Sequence, residues 1–287
     1  MAGFLAHASR TYALGYFGLI IVISLLEWAF PRRRAGETLP LRWMGNFGIL
    51  ILNTFIVRLL FPLVGAAWAV FCRDRGWGLI NQAVLPAWVA VTLTILVLDL
   101  QTYAQHCLLH HVSALWRVHR AHHTDQAFDF TTGVRFHPGE AVLSTAAGLV
   151  LIALLGAPPL GVLLFEFLTA SIAFVEHANL RVPSSLERAL RLVFVTPDMH
   201  CVHHSRAHHE GNSNLGSLFS WWDRLFGTYR AAPDSGHDRI EFGVAGFTDR
   251  KHLALQWMLL APWLGPRGTL ETSTTASQAI AKPPGTR

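Results

Sequence analysis

The chain has 287 residues, of which 52% are hydrophobic and only 14% charged, with a formal net charge of +5. A charged fraction so far below the roughly 25% of an average soluble domain, with a mean hydropathy of +0.35, suits a bilayer better than water. The basic residues form no stripe with interleaved aromatics, so the charge does not read as a nucleic-acid surface. The three cysteines, Cys72, Cys107 and Cys201, form no CxxC pair and imply no disulfide framework.

Residues 11–30 carry one charge, Glu27, and are stopped by Arg32, Arg33 and Arg34. Twenty apolar residues at a rise of about 1.5 Å cover a hydrocarbon core of about 30 Å. A cleaved signal peptide would need its basic residues ahead of the apolar stretch, whereas here they follow it, so an uncleaved span is expected. Residues 45–72 form a second apolar run, interrupted by Arg58, and residues 79–104 a third, with Asp99 near its far end. Residues 141–175 form a fourth with Glu166 as its sole charge, broken by Gly156-Ala157-Pro158-Pro159. Two prolines there should end one helix and start another, giving a hairpin that enters the membrane and returns. Arg32, Arg33, Arg34 and Arg42 place the first loop in the cytoplasm by the excess of positive charge on inner loops. The turn at 73–78 is then external, and only a returning hairpin brings the histidines on either side of it to one face. Residues 266–287, rich in Thr, Ser, Ala, Gly and Pro, are expected to be a disordered tail.

The histidines carry the chemistry. Of sixteen, six fall in residues 106–123 and five in residues 200–209, with His137 and His177 between. His106 and His110 are spaced i, i+4, so they share a helical face with Tyr103 and Asp99. An aspartate at the membrane edge needs a partner, and orienting a metal-bound imidazole would supply one. His119, His122 and His123 form His-x-x-His-His, and His200, His203 and His204 repeat it. Eight to ten imidazoles exceed the three or four ligands of a single zinc, so two metals are implied. Imidazole suits iron, zinc and copper alike, and spacing does not choose among them. No Glu-x-x-His motif of the soluble carboxylate-rich di-iron bundles is present, nor any glycine signature of a flavin or nicotinamide site.

The stretches ALWRVHRAHH, RFHPGE, HANLRVP, TPDMHCVHHSR and SNLGSLFSWWDRLFGTY resemble the fatty acid hydroxylase / sterol desaturase superfamily of histidine-box membrane di-iron oxygenases, over about residues 99–229. The resemblance implies an all-α membrane protein: three transmembrane helices plus a helical hairpin, capped by a cytoplasmic histidine-rich helical domain holding two metals. It implies His106, His110, His119, His122, His123, His177, His200, His203 and His204 as ligands, with His137 also matching a family histidine. It further implies two iron ions, dioxygen as co-substrate, a lipid drawn from the bilayer for hydroxylation or desaturation, and an external electron donor such as a ferredoxin, cytochrome or reductase. Cys107 and Cys201 depart from the family pattern, where arginine is common, and Leu215 stands where an aromatic is frequent. His111, His208 and His209 are expected outside the ligand set. The domain division expected is 1–98 for the membrane helices, 99–265 for the catalytic unit with hairpin 141–175, and 266–287 for the tail, in an integral plasma or inner membrane protein. A histidine-rich metal transporter and a membrane zinc hydrolase are the competing readings. The first would place ligands at mid-membrane on broken helices, and the second lacks an HExxH signature.

Overall fold

Apolar stretches of this length can satisfy their backbone in a bilayer only as helices, and the computed structural model is helical, with no strand among the described residues. The structure describes residues 2–34 and 36–265, with side chains from Leu14 onward; the expected tail at 266–287 lies outside them. In chain order the elements are α1 (Ala2–Ala29), α2 (Leu39–Leu60), α3 (Gly65–Asp74), α4 (Ala87–His111), α5 (Ser113–His123), α6 (Pro138–Leu155), α7 (Pro159–Glu176), α8 (Ser184–Leu190) and α9 (Pro197–His203), followed by short helices and loops to residue 265. Four segments are long and apolar enough to cross a membrane: Leu39–Asp74, Ala87–His111, Pro138–Leu155 and Pro159–Glu176. Leu14–Ala29 is a shorter apolar helix among the described side chains.

The hairpin breaks where the two prolines stand. Gly156 closes α6 at φ 69°, the left-handed conformation that suits glycine, and Pro158 and Pro159 open α7. Each arm has 18 residues, about 27 Å of helix. The second apolar run differs from the single helix its hydropathy suggests. Pro62 lacks an N–H and pushes Phe61 into extended backbone at φ −123°, so α2 stops at Leu60 and α3 restarts at Gly65.

All the long segments run between the same two ends. At one end the 77–79 turn meets the hairpin tip: Leu79 N–H donates to the Leu154 carbonyl, and Trp77 packs against Gly156. At the other, Arg32 pairs with Asp198, the Arg33 backbone binds Asn179, and Arg42 pairs with Asp125 and Asp129. The basic loop after α1 and the histidine-bearing helices therefore share one end of the bundle. Arg42, expected as a loop charge, is instead buried in α2, with Nε 2.6 Å from Asp125 and Nη1 2.6 Å from Asp129. Arg135, also buried, donates to the Ala121 carbonyl, Thr124 and Asn46. Together these cations lock the end of α5 onto α2.

Candidate metal centre

Four chain segments deliver imidazoles to the same end. The last turns of α4 carry His106 and His110, α5 carries His119, His122 and His123, His177 caps α7, and α9 with its cap carries His200, His203 and His204. The nine form two groups in which the ligand atoms lie within 4.8 Å of one another: His106, His110, His119, His123 and His203; and His122, His177, His200 and His204. The groups adjoin, with the His123 and His204 rings 4.5 Å apart. Each His-x-x-His-His box is split between them. α5 sends His119 and His123 one way and His122 the other, while α9 sends His203 to the first group and His200 and His204 to the second.

Hydrogen bonds on the far side of the rings decide what the groups can hold. His106 Nδ1 faces the Leu215 carbonyl at 2.9 Å, His119 Nδ1 the Glu140 carboxylate at 2.9 Å, and His203 Nδ1 the Ser213 carbonyl at 3.0 Å. His177 Nδ1 faces the Ala173 carbonyl at 2.7 Å. His110 Nδ1 faces Asn212 Oδ1, whose own amide is turned to His208. Each of these partners only accepts, so each Nδ1 carries the proton and each Nε2 presents a lone pair. Those lone pairs point at one another. His106 and His119 Nε2 are 3.2 Å apart, and His177 Nε2 lies 2.9 Å from His200 Nε2 and 3.2 Å from His122 and His204 Nε2. Nε2 of His110 and His203 is buried without a hydrogen-bond partner among the described residues. Opposed lone pairs in a buried site are repulsive unless a cation stands between them, so the donor set fits two metal ions. Burial, reinforced by the neighbouring imidazoles, holds His122, His123, His200, His203 and His204 well below the ordinary histidine range. They are neutral at pH 7, the form that ligates.

The remaining sequence candidates fall elsewhere. His137 is in neither group; its Nε2 faces the Leu259 carbonyl, and its Nδ1 accepts from the Gly139 N–H at the start of α6. Asp99 does not touch a histidine. It accepts from the Leu218 and Phe219 N–H groups and from Trp222 Nε1, so it anchors the loop whose Leu215 carbonyl holds His106. Tyr103 binds Thr228. His111 and His209 are exposed, on the Cys107 carbonyl and on Asp234. Leu215, where an aromatic is frequent, contributes its backbone carbonyl to His106, and its side chain is fully buried. Sequence reasoning passed over Glu140, although it stands in the quoted RFHPGE stretch; the turn from His137 through Pro138 is what aims it at α5. Gly133 was passed over too. A Cβ there would stand 2.4 Å from the Ala173 carbonyl and 3.1 Å from His177 Nδ1, so the backbone must come this close to seat His177.

Against both groups lies a cavity of about 900 Å³ between α2, α4, α6 and α7, with His106, His119, His122, His177 and His200 at one end and Leu50, Leu163 and Phe165 along its walls. Its size and largely apolar walls suit a hydrocarbon ligand.

The fatty acid hydroxylase family matches residues 91–228, a stretch that contains all nine clustered histidines. The chain is 33% identical over 165 residues to an ornithine lipid hydroxylase of Rhizobium tropici, covering 57% of this chain and 48% of that protein. It is 30% identical over 136 residues to an alkylglycerol monooxygenase of Caenorhabditis elegans (46% of this chain, 25% of that one). Over 147 residues it is 28% identical to a cholesterol 25-hydroxylase of Rattus norvegicus (50% and 48%). The chain thus spans about half or less of the length of these curated relatives. No solved structure matches it.

Proposed function

We propose, for a chain whose residues 91–228 belong to the fatty acid hydroxylase family, that it is a membrane-bound di-iron oxygenase that hydroxylates a lipid drawn from the bilayer. The chain is an oxidoreductase by its kinship with lipid hydroxylases and monooxygenases. The observation that carries the finer reading is the pair of histidine groups with inward lone pairs at the end of an apolar cavity. The nine clustered histidines are the proposed ligands, with five assigned to one iron and four to the other. When bound, two irons would supply the oxidation of an unactivated C–H bond with dioxygen and electrons from an external ferredoxin, cytochrome or reductase. The chain's own residues do the rest. Glu140, Asn212 and the carbonyls of Ala173, Ser213 and Leu215 hold five rings in the ligating tautomer. The cavity walls keep water from the reacting carbon and lay an alkyl chain against His106, His122 and His177. Residues 1–98 supply membrane helices and part of the cavity wall, and residues 99–265 supply the histidines, the two units being continuous through α4.

The purified protein should carry about two irons per chain, and lipids from cells expressing it under labelled dioxygen should gain one labelled oxygen atom. Stoichiometric zinc without iron, or no lipid differing between cells with and without the gene, would overturn this reading. Loss of two hydrogens in place of oxygen gain would identify a desaturase at the same centre.

The histidine end would then face the cytoplasm together with Arg32, Arg33 and Arg34, by the excess of positive charge on inner loops. A cysteine introduced at Glu241, exposed at that end, should resist a membrane-impermeant thiol reagent in intact cells. One at Asp74, at the opposite end, should react. Labelling of Glu241→Cys from outside would invert the orientation.

A further inference from the structure

The cavity is not apolar throughout. Beyond its hydrocarbon walls it is also lined by Glu166 of α7 and Arg58 of α2. Glu166 lies eleven residues before His177, about 16 Å along the helix. Neither side chain has a hydrogen bond or an ion pair among the described residues, although Arg58 is near enough to act on Glu166 through its charge. A carboxylate inside a membrane segment is costly, and an unpaired one marks a functional site by default. A structural duty does not account for Glu166. It makes no hydrogen bond to the start of α3 among the described residues, and yet the chain makes room for it. Gly65 sits at φ 54°, and a Cβ there would stand 2.1 Å from Glu166 Oε1.

We propose that Glu166 and Arg58 form the subsite for the polar end of the lipid substrate, and that this end is a neutral hydrogen-bonding group, a hydroxyl or an amide. A carboxyl group and a guanidinium lining the same space select a ligand that both donates and accepts. A free carboxylate is repelled by Glu166, and an amine by Arg58. The subsite would then set which carbon meets the histidines, through its separation of about 16 Å from His177 along α7. This deepens the oxygenase reading and rests on it for what happens at the far end. The recognition itself is separable, because it needs neither iron nor turnover.

The test uses the full chain in nanodiscs and five probes of equal chain length: hexadecanol, hexadecanamide, hexadecylamine, hexadecanoate and hexadecane. Apparent Kd values come from thermal-shift titration, with bound iron measured alongside. The alcohol and the amide should bind about tenfold or more tighter than the alkane, in keeping with hydrogen bonds to charged groups. Glu166→Leu should erase that advantage while leaving bound iron unchanged. Arg58→Met should move the preference to the amine, and Glu166→Gln should move it to the carboxylate. Equal binding of all five probes by the natural chain, or an unaltered order in the variants, would overturn the subsite. The subsite order obtained with a protein that binds no iron would leave it standing and remove the oxygenase reading alone.

Discussion

His203→Ala is expected to reduce product formation to background and to lower bound iron. Its Nε2 is buried without a protein partner while its Nδ1 is tied to the Ser213 carbonyl, so the ring is fixed with its lone pair directed into the first histidine group. An alanine removes that donor and leaves the remaining four lone pairs of the group opposed. His122→Ala should do the same through the second group. Glu140→Gln probes the support behind the ring rather than the ring itself. The amide can still accept from His119 Nδ1 but has lost the charge, and loss of such a partner typically costs about 10–100-fold in metal affinity or activity. His209→Ala is the control, since that ring is exposed on Asp234 and should retain most activity. The measurements are iron per chain and labelled oxygen in extracted lipid. Equal losses in His203→Ala and His209→Ala would show that the two groups are not the metal centre.

Arg42→Ala should be the most destabilising single change outside the histidines. Arg42 and Asp125 are each 2% exposed and Asp129 5%, and removing the cation leaves two buried carboxylates facing one another. Breaking a buried pair in this way costs about 3–5 kcal/mol. Arg42→Lys should recover only part, because an ammonium cannot serve both carboxylates with the geometry of a guanidinium. The same cluster sets an acid dependence. Burial by itself would raise Asp125, but Arg42, by charge and hydrogen bonds, and then Arg135 and Thr132 hold it well below the ordinary carboxylate range. A carboxyl depressed in the folded state stabilises fully above its unfolded value of about 3.9 and progressively less as pH falls below that. Thermal unfolding in detergent, followed by circular dichroism, should show the natural chain losing stability below about pH 4. In Arg42→Ala this loss should be smaller, since only Arg135 and Thr132 remain to favour the charged carboxylate. A variant as stable as the natural chain at pH 7 would show that the cluster does not lock α5.

Much of this was legible in local sequence because it depends on helical period and backbone chemistry. Spacings of i, i+3 and i+4 place His119, His122 and His123 on one face of one short helix wherever that helix goes. Gly156-Ala157-Pro158-Pro159 ends one helix and begins another because proline has no N–H and glycine tolerates positive φ. The need for both histidine boxes at one end follows from the number of imidazoles and the long apolar runs between them. What each ring binds on its far side was not legible, because those partners lie up to 109 residues away, as Leu215 does from His106, and three of the five are backbone carbonyls, which any sequence presents. For the same reason Asp99, read as the partner of a histidine on its own helix face, turned instead to N–H groups of residues 218 and 219. Local periodicity sets the direction in which a side chain leaves its helix. Only the packing of α4, α5, α7 and α9 decides what it meets, and thus that each histidine box is divided between two groups and that Glu166 and Arg58 share the cavity those groups close.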